Sequence, residues 1–417
     1  MHRGRIFRPR YSFKADREKG SYMTQIIRTE DTSFHAQDIR IFAAVFAISF
    51  IQALQYGVSP VLNQIADHYS GVNVSLVQML ITAPSLVGIF FALASGWLVT
   101  KVSKKQQLVL ASVITLVTGF VPFLVDSFAL LFAARVIYGI ALGSATTLNS
   151  AVVSEFFEGK KRTVAMGIQA ASIGIGMVLV TTGSGFLGNA NFKTSYWINL
   201  LALLSLILLV TCLPETGTVK AEKAAPIRLS ATVWITAVFA FLEFFFLITF
   251  TTNIAMHLST YGISSGQAGI TTGIFSGAQI AMGFLLGVIS RYTGKMTLPV
   301  AMLSFAGGAL LVIAFPENAL LLSIGAILCG FSQGAFIPTA YVTASNASDP
   351  AAIPMASAIV TAATMTGQLL SAPVLNTCSA LLFHSSLPAT IFLMASVGMG
   401  ISAAACAVWQ LTKKDKQ

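Results

Sequence analysis

The sequence predicts an all-α polytopic membrane protein of twelve transmembrane helices in two six-helix pseudo-repeat bundles. Three observations carry this: an extreme apolar composition, apolar stretches of spanning length along the chain, and basic residues confined to alternate loops. Of 417 residues, 55% are hydrophobic and only 10% are charged, and the mean hydropathy is +0.78. Soluble domains carry about 25% charged residues. The apolar runs are continuous rather than alternating, which excludes a closed β-barrel, and backbone groups in hydrocarbon must then be satisfied within each helix.

Taken in order, residues 1–40 are Arg-rich, also carry Asp and Glu, and lack an apolar h-region, so they do not read as a signal peptide. A disordered cytoplasmic tail is expected there. Met23, followed by TQIIRTEDTS, offers a second start for the chain. The first bundle, 41–213, holds spans at 41–61, 75–98, 107–125, 128–151, 164–188 and 195–213. The polar stretch 214–231, PETGTVKAEKAAPIRLSA, is the longest interruption and reads as a cytoplasmic linker. The second bundle, 232–411, holds spans at 232–256, 267–290, 297–315, 319–342, 353–378 and 387–411, and a short cytoplasmic tail occupies 412–417.

Loop charge tests this topology, because Lys and Arg are retained on the cytoplasmic side of short loops. With the amino terminus inside, 23 of the 25 Lys and Arg fall on cytoplasmic segments. Lys193 alone falls outside, and Arg135 alone sits within a span. The net charge of +10 is thereby a topology signal, and its scatter over several loops does not form a nucleic-acid footprint. The expected surroundings are a lipid bilayer and a small-molecule ligand, with both termini cytoplasmic, in a plasma membrane (the inner membrane in a bacterium). A monomer is expected, with no nucleic-acid partner. Cys212, Cys329, Cys378 and Cys406 are widely separated in or beside apolar spans, without metal-ligand spacing, and read as packing residues.

Landmarks recur at a fixed offset of 191 residues: Ser85 and Ser276, Gly96 and Gly287, Lys104 and Lys295, Gly139 and Gly330, Gly143 and Gly334. Five pairs at one offset point to parallel duplication of a six-helix unit, with a central cavity between the copies.

The segment GWLVTKVSKKQ at 96–106 resembles the loop 2–3 signature of the major facilitator superfamily, through Gly96, Lys101, Lys104 and Lys105. Thr100 stands where that family usually has an aspartate. GVISRYTGKM at 287–296, with Gly287, Gly294 and Lys295, is similar to the second, degenerate copy. RVIYGIALG at 135–143 resembles the family's membrane arginine followed by glycine, and Glu155, Lys161, Arg162, Ala165 and Gly167 resemble its helix 4–5 connection. Pro214-Glu215-Thr216 resembles an ending common in the twelve-helix drug:proton antiporter branch. SIGIGMVLVTTGSGFLG at 172–188 is similar to the spaced glycines of the antiporter signature, with Ser184 and its neighbours lacking the usual proline. The resemblance covers about residues 40–411 and implies the major facilitator fold, a gating role for the loop 2–3 residues, and secondary active transport by alternating access.

Two ionisable residues fall within spans, where an unpaired charge costs at least about 2.5 kcal/mol. Glu243 on helix 7 has the profile of a proton-coupling group, since burial moves a carboxyl toward reversible protonation near neutral pH. It reads equally as a glutamate tied to a hydroxyl partner. Arg135 on helix 4 is the second proton-coupling candidate; the family match implies a cation tuning that carboxyl or a counter-ion for an anionic substrate. A structural arginine bonded to carbonyls is the competing reading.

Gln52, Gln55 and Tyr56 share one side of helix 1 at spacings of three and four. With Asn149, Gln169, Asn253, Gln279 and Gln333 they are candidates for the substrate cavity, each with an interhelical hydrogen bond as the alternative. Gln78 and Gln368 belong to the same class. The phenylalanines of helix 7 read mainly as lipid-facing, and His257 and His384 as solvated residues at outer loop edges.

No phosphate-binding loop or soluble catalytic signature is present, so an enzyme is not expected and no cofactor is called for, a proton gradient being the energy source. Proton-coupled efflux of small amphipathic or drug-like compounds is the leading expectation. Uptake or facilitated transport of an organic anion or other small metabolite is the alternative, and a non-transporting membrane sensor a minor one.

Overall fold

The computed structural model describes residues 36–157, 159–215, 217–218, 229–348 and 352–412. The expected tail up to residue 35, the middle of the linker at 219–228 and residues 413–417 lie outside the described residues. Among those described, all regular structure is helical. Eleven stretches are long and apolar enough to cross a membrane. One of them, Ser265–Ala314, has 50 residues, more than twice what one crossing needs. Gly294, at φ +53°, ends its first helix in a conformation that side chains other than glycine avoid. The stretch therefore holds two helices of spanning length, and the described residues hold twelve.

These are α1 (Gln37–His68), α2 (Val74–Ser95), α3 (Lys104–Leu124), α4 (Phe128–Phe156), α5 (Gly159–Leu187) and α6 (Phe192–Cys212) in the first half. In the second half they are α7 (Ala231–Ser259), α8 (Ser265–Thr293), α9 (Thr297–Ala314), α10 (Ala319–Asn346), α11 (Ile353–Phe383) and α12 (Pro388–Thr412). Polar caps hold several of their starts. Ser103 and Gln106 form a reciprocal capping box at α3, and Asn318 accepts from the amides of Leu320 and Leu321 at α10.

Each half has its own apolar core. One cluster runs from Ile41 to Leu213 and the other from Val233 to Cys406. Large apolar side chains also point outward, among them Phe90, Leu124, Leu320 and Leu411, as a lipid-facing surface requires. The helix 7 phenylalanines depart from expectation. Phe239, Phe244 and Phe250 are buried, and Phe250 stacks on Phe275 with centroids 4.6 Å apart. Glycines on neighbouring helices make room for this helix, as Gly398 does for the Phe246 ring. His257 is likewise buried, with Nε2 3.2 Å from the Val312 carbonyl, because α7 continues through Ser259. His384 is exposed at the left-handed end of α11. Cys329 and Cys406 are buried and all four thiols are free.

The duplication is visible in atomic packing. A Cβ on Gly139 would overlap the Pro84 carbonyl, and one on Gly330 would overlap the Phe275 carbonyl. Gly143 and Gly334 stand in the same relation to Gly88 and Gln279. Every member of these pairs is 191 residues from its counterpart, so α2 packs on α4 as α8 packs on α10. Helices α1 and α7 are also interrupted at matching places. The first becomes a 3-10 helix over Leu54–Val61 and the second breaks at Ile248, 191 residues after Gly57.

One end of the molecule, the basic face, carries Lys101, Lys104, Lys105, Arg291 and Lys295; the other is the far face. At the far face of the first half Asp126 ties three segments together. It accepts from Tyr69 Oη at 2.7 Å and His68 Nε2 at 2.9 Å, and pairs with Lys193 Nζ at 3.1 Å. These bonds, the one from Tyr69 first, hold its carboxyl well below the usual carboxylate range, while partial burial and then Asp126 push Tyr69 up to about 12. A lowered carboxyl stabilises the fold at neutral pH, and that contribution is lost as pH falls below about 4. Asp126→Asn is therefore expected to lower the thermal midpoint slightly at pH 7 and to remove this acid-dependent component, as a midpoint-against-pH series would read.

Candidate functional site

Hydrogen bonds between the two halves cluster toward the far face. Ser59 Oγ donates to the Thr251 carbonyl, Gln64 Nε2 to Ser265 Oγ at 2.8 Å, and the Gly266 amide to Asn189 Oδ1 at 3.1 Å. Gln78 joins α2 to both α7 and α11, donating to Asn253 Oδ1 at 2.7 Å and accepting from Asn376 Nδ2. Nearer the middle, Gln368 Nε2 donates to Ser85 Oγ. Glycines bring α5 and α8 into backbone contact, for a Cβ on Gly185 would stand 2.8 Å from Gly269 Cα. This seal contains no charged side chain.

On the basic side of that seal lies a cavity of about 570 Å³ between the halves. Its first-half wall comes from Gln52, Ile89, Ala92, Leu93, Thr146, Thr147, Ser150, Gln169 and Ile173. Tyr341, Ser357, Ala358, Thr361, Ala362 and Met365 complete it from α10 and α11. No side chain in this lining is charged. Gln52 Nε2 donates to the Ala145 carbonyl at 2.9 Å, Gln169 Nε2 to Ser150 Oγ at 3.1 Å, and Tyr341 Oη lies 2.8 Å from Thr361 Oγ1. The wall thus offers hydroxyl and amide groups set among aliphatic ones, the pattern of a site for an uncharged polar ligand.

Of the residues expected to line a cavity, Gln52 and Gln169 do so in this arrangement of the halves. The others lie outside that lining, and three of them bond elsewhere. Gln55 Nε2 donates to the Ile81 carbonyl at 3.0 Å, Asn149 Nδ2 to Ser49 Oγ at 3.3 Å, and Asn253 belongs to the far-face seal. Tyr56 packs against the first-half core, Gln279 Nε2 is buried without a bonding partner, and Gln333 is half-buried on α10. Sequence reasoning missed the hydroxyls of Thr146, Thr147, Ser150, Ser357 and Thr361. Their spacing of three and four was available as a signal, but membrane helices commonly turn such hydroxyls back onto their own carbonyls. Thr146 and Thr361 do this as well as lining the cavity.

Glu243 is fully buried in the second half and is the only buried acid among the described residues. Its Oε1 accepts from Ser332 Oγ at 2.6 Å, and its Oε2 has no partner. Glu243 and Gln52 are 191 residues apart, so the acid occupies the repeat position of a cavity-lining amide. Arg135 faces the interrupted part of α1. Its Nε donates to the Leu80 carbonyl at 2.6 Å, and its terminal nitrogens donate to those of Leu54 and Gln55. Tyr138 Oη and Ser184 Oγ donate to the carbonyls of Ile51 and Gly57. In and beside the 3-10 segment of α1, acceptors lack their usual α-helical partners, and Pro84 has no N–H for the Leu80 carbonyl; these side chains supply the donors. Arg135 and Glu243 each bond within their own half.

At the basic face, Lys104 Nζ pairs with Glu155 Oε2 at 2.8 Å, joining loop 2–3 to the end of α4. Lys105 Nζ donates to the Val210 carbonyl at 2.8 Å, while Lys101, Gly287 and Lys295 are exposed. Gly96 lies in the helix Pro84–Leu98.

Comparison with known proteins agrees with this architecture. The chain is 27% identical over 193 residues to the arabinose-proton symporter of Escherichia coli (strain K12), a match spanning 46% of this chain and 40% of that protein. Among solved structures, the nucleoside transporter NupG superposes with a TM-score of 0.74 at 14% identity, over 88% of this chain and 99% of that one. A D-xylose-proton symporter superposes with a TM-score of 0.71 at 16% identity, over 90% and 96%. These likenesses show the fold. The family description Major Facilitator Superfamily matches residues 42–252 and 233–417. With both halves matched, the chain belongs to the Major Facilitator Superfamily.

Proposed function

We propose that this protein carries out proton-coupled uptake of a small, uncharged, hydroxyl-rich metabolite such as a sugar, across a plasma membrane with both termini in the cytoplasm. The observation that carries the reading is the cavity wall, where Gln52, Ser150, Gln169, Tyr341 and Thr361 offer hydrogen bonds and no charge. A charged substrate there would lack a counter-ion, whereas hydroxyl groups could exchange their water for these side chains. Likeness to a sugar-proton symporter supports the same class. The far-face seal and the basic-side cavity together form one of the two arrangements that alternating access requires.

Glu243 is the proposed proton carrier. An ionised carboxylate at its site would have one hydroxyl donor and no cation, so the charged form needs water that the other arrangement of the halves would admit. Arg135 supports this by holding α1, whose Gln52 reaches the cavity. The Lys104–Glu155 pair is the proposed anchor of the gating loop 2–3 on α4 within the first half, where Thr100 stands in place of an aspartate. No cofactor is invoked, the proton gradient supplying the energy, and the working unit is a monomer. Export of amphipathic compounds is a second reading, favoured by the aliphatic part of the wall at Ile89, Leu93, Ile173 and Met365.

Uptake of radiolabelled pentoses, hexoses and nucleosides into proteoliposomes with an imposed pH gradient tests the reading. At least one neutral polyol-type solute should accumulate, and Gln52→Ala or Gln169→Ala should each raise its KM about fivefold, the worth of one hydrogen bond of about 1 kcal/mol. Accumulation of lipophilic cations alone, moving outward, would replace it with the export reading.

A further inference from the structure

A second, much smaller void lies inside the first half, apart from the cavity between the halves. It measures about 20 Å³ and is lined by Arg135, Tyr196, Tyr138, Thr118 and Asn199 among others. That is room for one water molecule or one small ion. Its polar lining is unbalanced. Arg135 bonds to three carbonyls, which leaves two of its five N–H groups, and among the described residues no carboxylate pairs with it. The hydroxyl of Tyr196 is buried and has no hydrogen-bond partner. By contrast, the amide of Asn199 is occupied by the carbonyls of Gly119 and Tyr196, and the hydroxyl of Thr118 by that of Ile114.

Among the residues that line the void, Arg135 thus keeps two unused N–H groups and Tyr196 an unused hydroxyl, beside a buried cation that no carboxylate balances. Carbonyl dipoles and the Tyr138 ring, 5.1 Å from the guanidinium carbon, offset part of that charge. They supply no anion. A water molecule would accept from Arg135 and Tyr196 but would leave the net charge in place. A monovalent anion would do both.

We propose that this void is a binding site for a small inorganic anion of halide size, held by Arg135 and Tyr196, which neutralises Arg135 and thereby stabilises the interrupted segment of α1. The site is independent of the transported solute, and its test does not use transport.

The purified full-length protein is unfolded thermally in equimolar sodium chloride, sodium bromide and sodium gluconate. The midpoint should be about 3 °C higher in either halide than in gluconate. Tyr196→Phe, which keeps the ring and removes the hydroxyl, should abolish most of that difference while the protein still folds. Crystals grown in bromide should show an anomalous peak between Arg135 and Tyr196. Equal midpoints in halide and gluconate, a halide shift that Tyr196→Phe leaves intact, or an absent bromide peak would each overturn the proposal; an ordered water alone gives the first and last of these results.

Discussion

Glu243→Gln is expected to bring pH-driven accumulation to equality across the membrane while leaving substrate exchange at nearly the native rate. One coupled proton and a gradient of one pH unit support about tenfold accumulation, since each unit is worth about 1.36 kcal/mol. Without a titrating group that ratio falls to about one. The variant should fold, because glutamine keeps the shape of the side chain and its oxygen can still accept from Ser332 Oγ, now 2.6 Å from the carboxylate. Counterflow of labelled against unlabelled substrate separates the two activities. If Glu243→Gln still concentrates substrate tenfold, the proton travels by another residue. A variant dead in both assays would instead make Glu243 part of the conformational change itself.

The second large effect concerns stability. Gly139→Ala and Gly330→Ala each place a methyl group on a carbonyl of the facing helix, at Pro84 and Phe275. Neither carbonyl can turn aside, since both belong to helices packed along their length, so the helices must separate. A cost of about 3 kcal/mol or more is expected for each, at the upper end of overpacking effects. Because the two sites are repeat counterparts, their penalties should be similar. Gly307→Ala is the control: a Cβ there meets nothing within 4 Å, and alanine favours a helix by about 0.5–1 kcal/mol. Thermal unfolding in detergent would read all three. Equal midpoints for Gly139→Ala and Gly307→Ala would mean that α2 and α4 are not packed as closely as described.

The fold was largely legible because hydropathy, loop charge and the 191-residue offset are properties of whole segments. Each survives an error of a few residues at a helix end. The repeat even located the close helix contacts, through Gly139, Gly143, Gly330 and Gly334. The site was less legible, since facing within a membrane helix has no hydropathic signature when both lipid and core are apolar. Gln52 and Asn253 looked alike as polar residues in apolar runs, yet one lines the cavity and the other closes the far face. The phenylalanines of α7 were misplaced for the same reason. Arg135 illustrates a different limit. Two of its carbonyl partners, Leu54 and Gln55, lie where α1 leaves the α-helical pattern, and the third, Leu80 on α2, precedes Pro84, which has no N–H to offer it.

The central claim is that the halves rock about the cavity, so that the far-face seal must open in every cycle. Cysteines at Gln64→Cys and Ser265→Cys, in a Cys212→Ser/Cys378→Ser background, place thiols across the seal where the native side chains meet at 2.8 Å. Joined by a short, cleavable bifunctional thiol reagent, the protein should bind substrate but lose transport, and should regain it when the link is cut. Transport at the unlinked rate through the cross-linked protein would contradict the account.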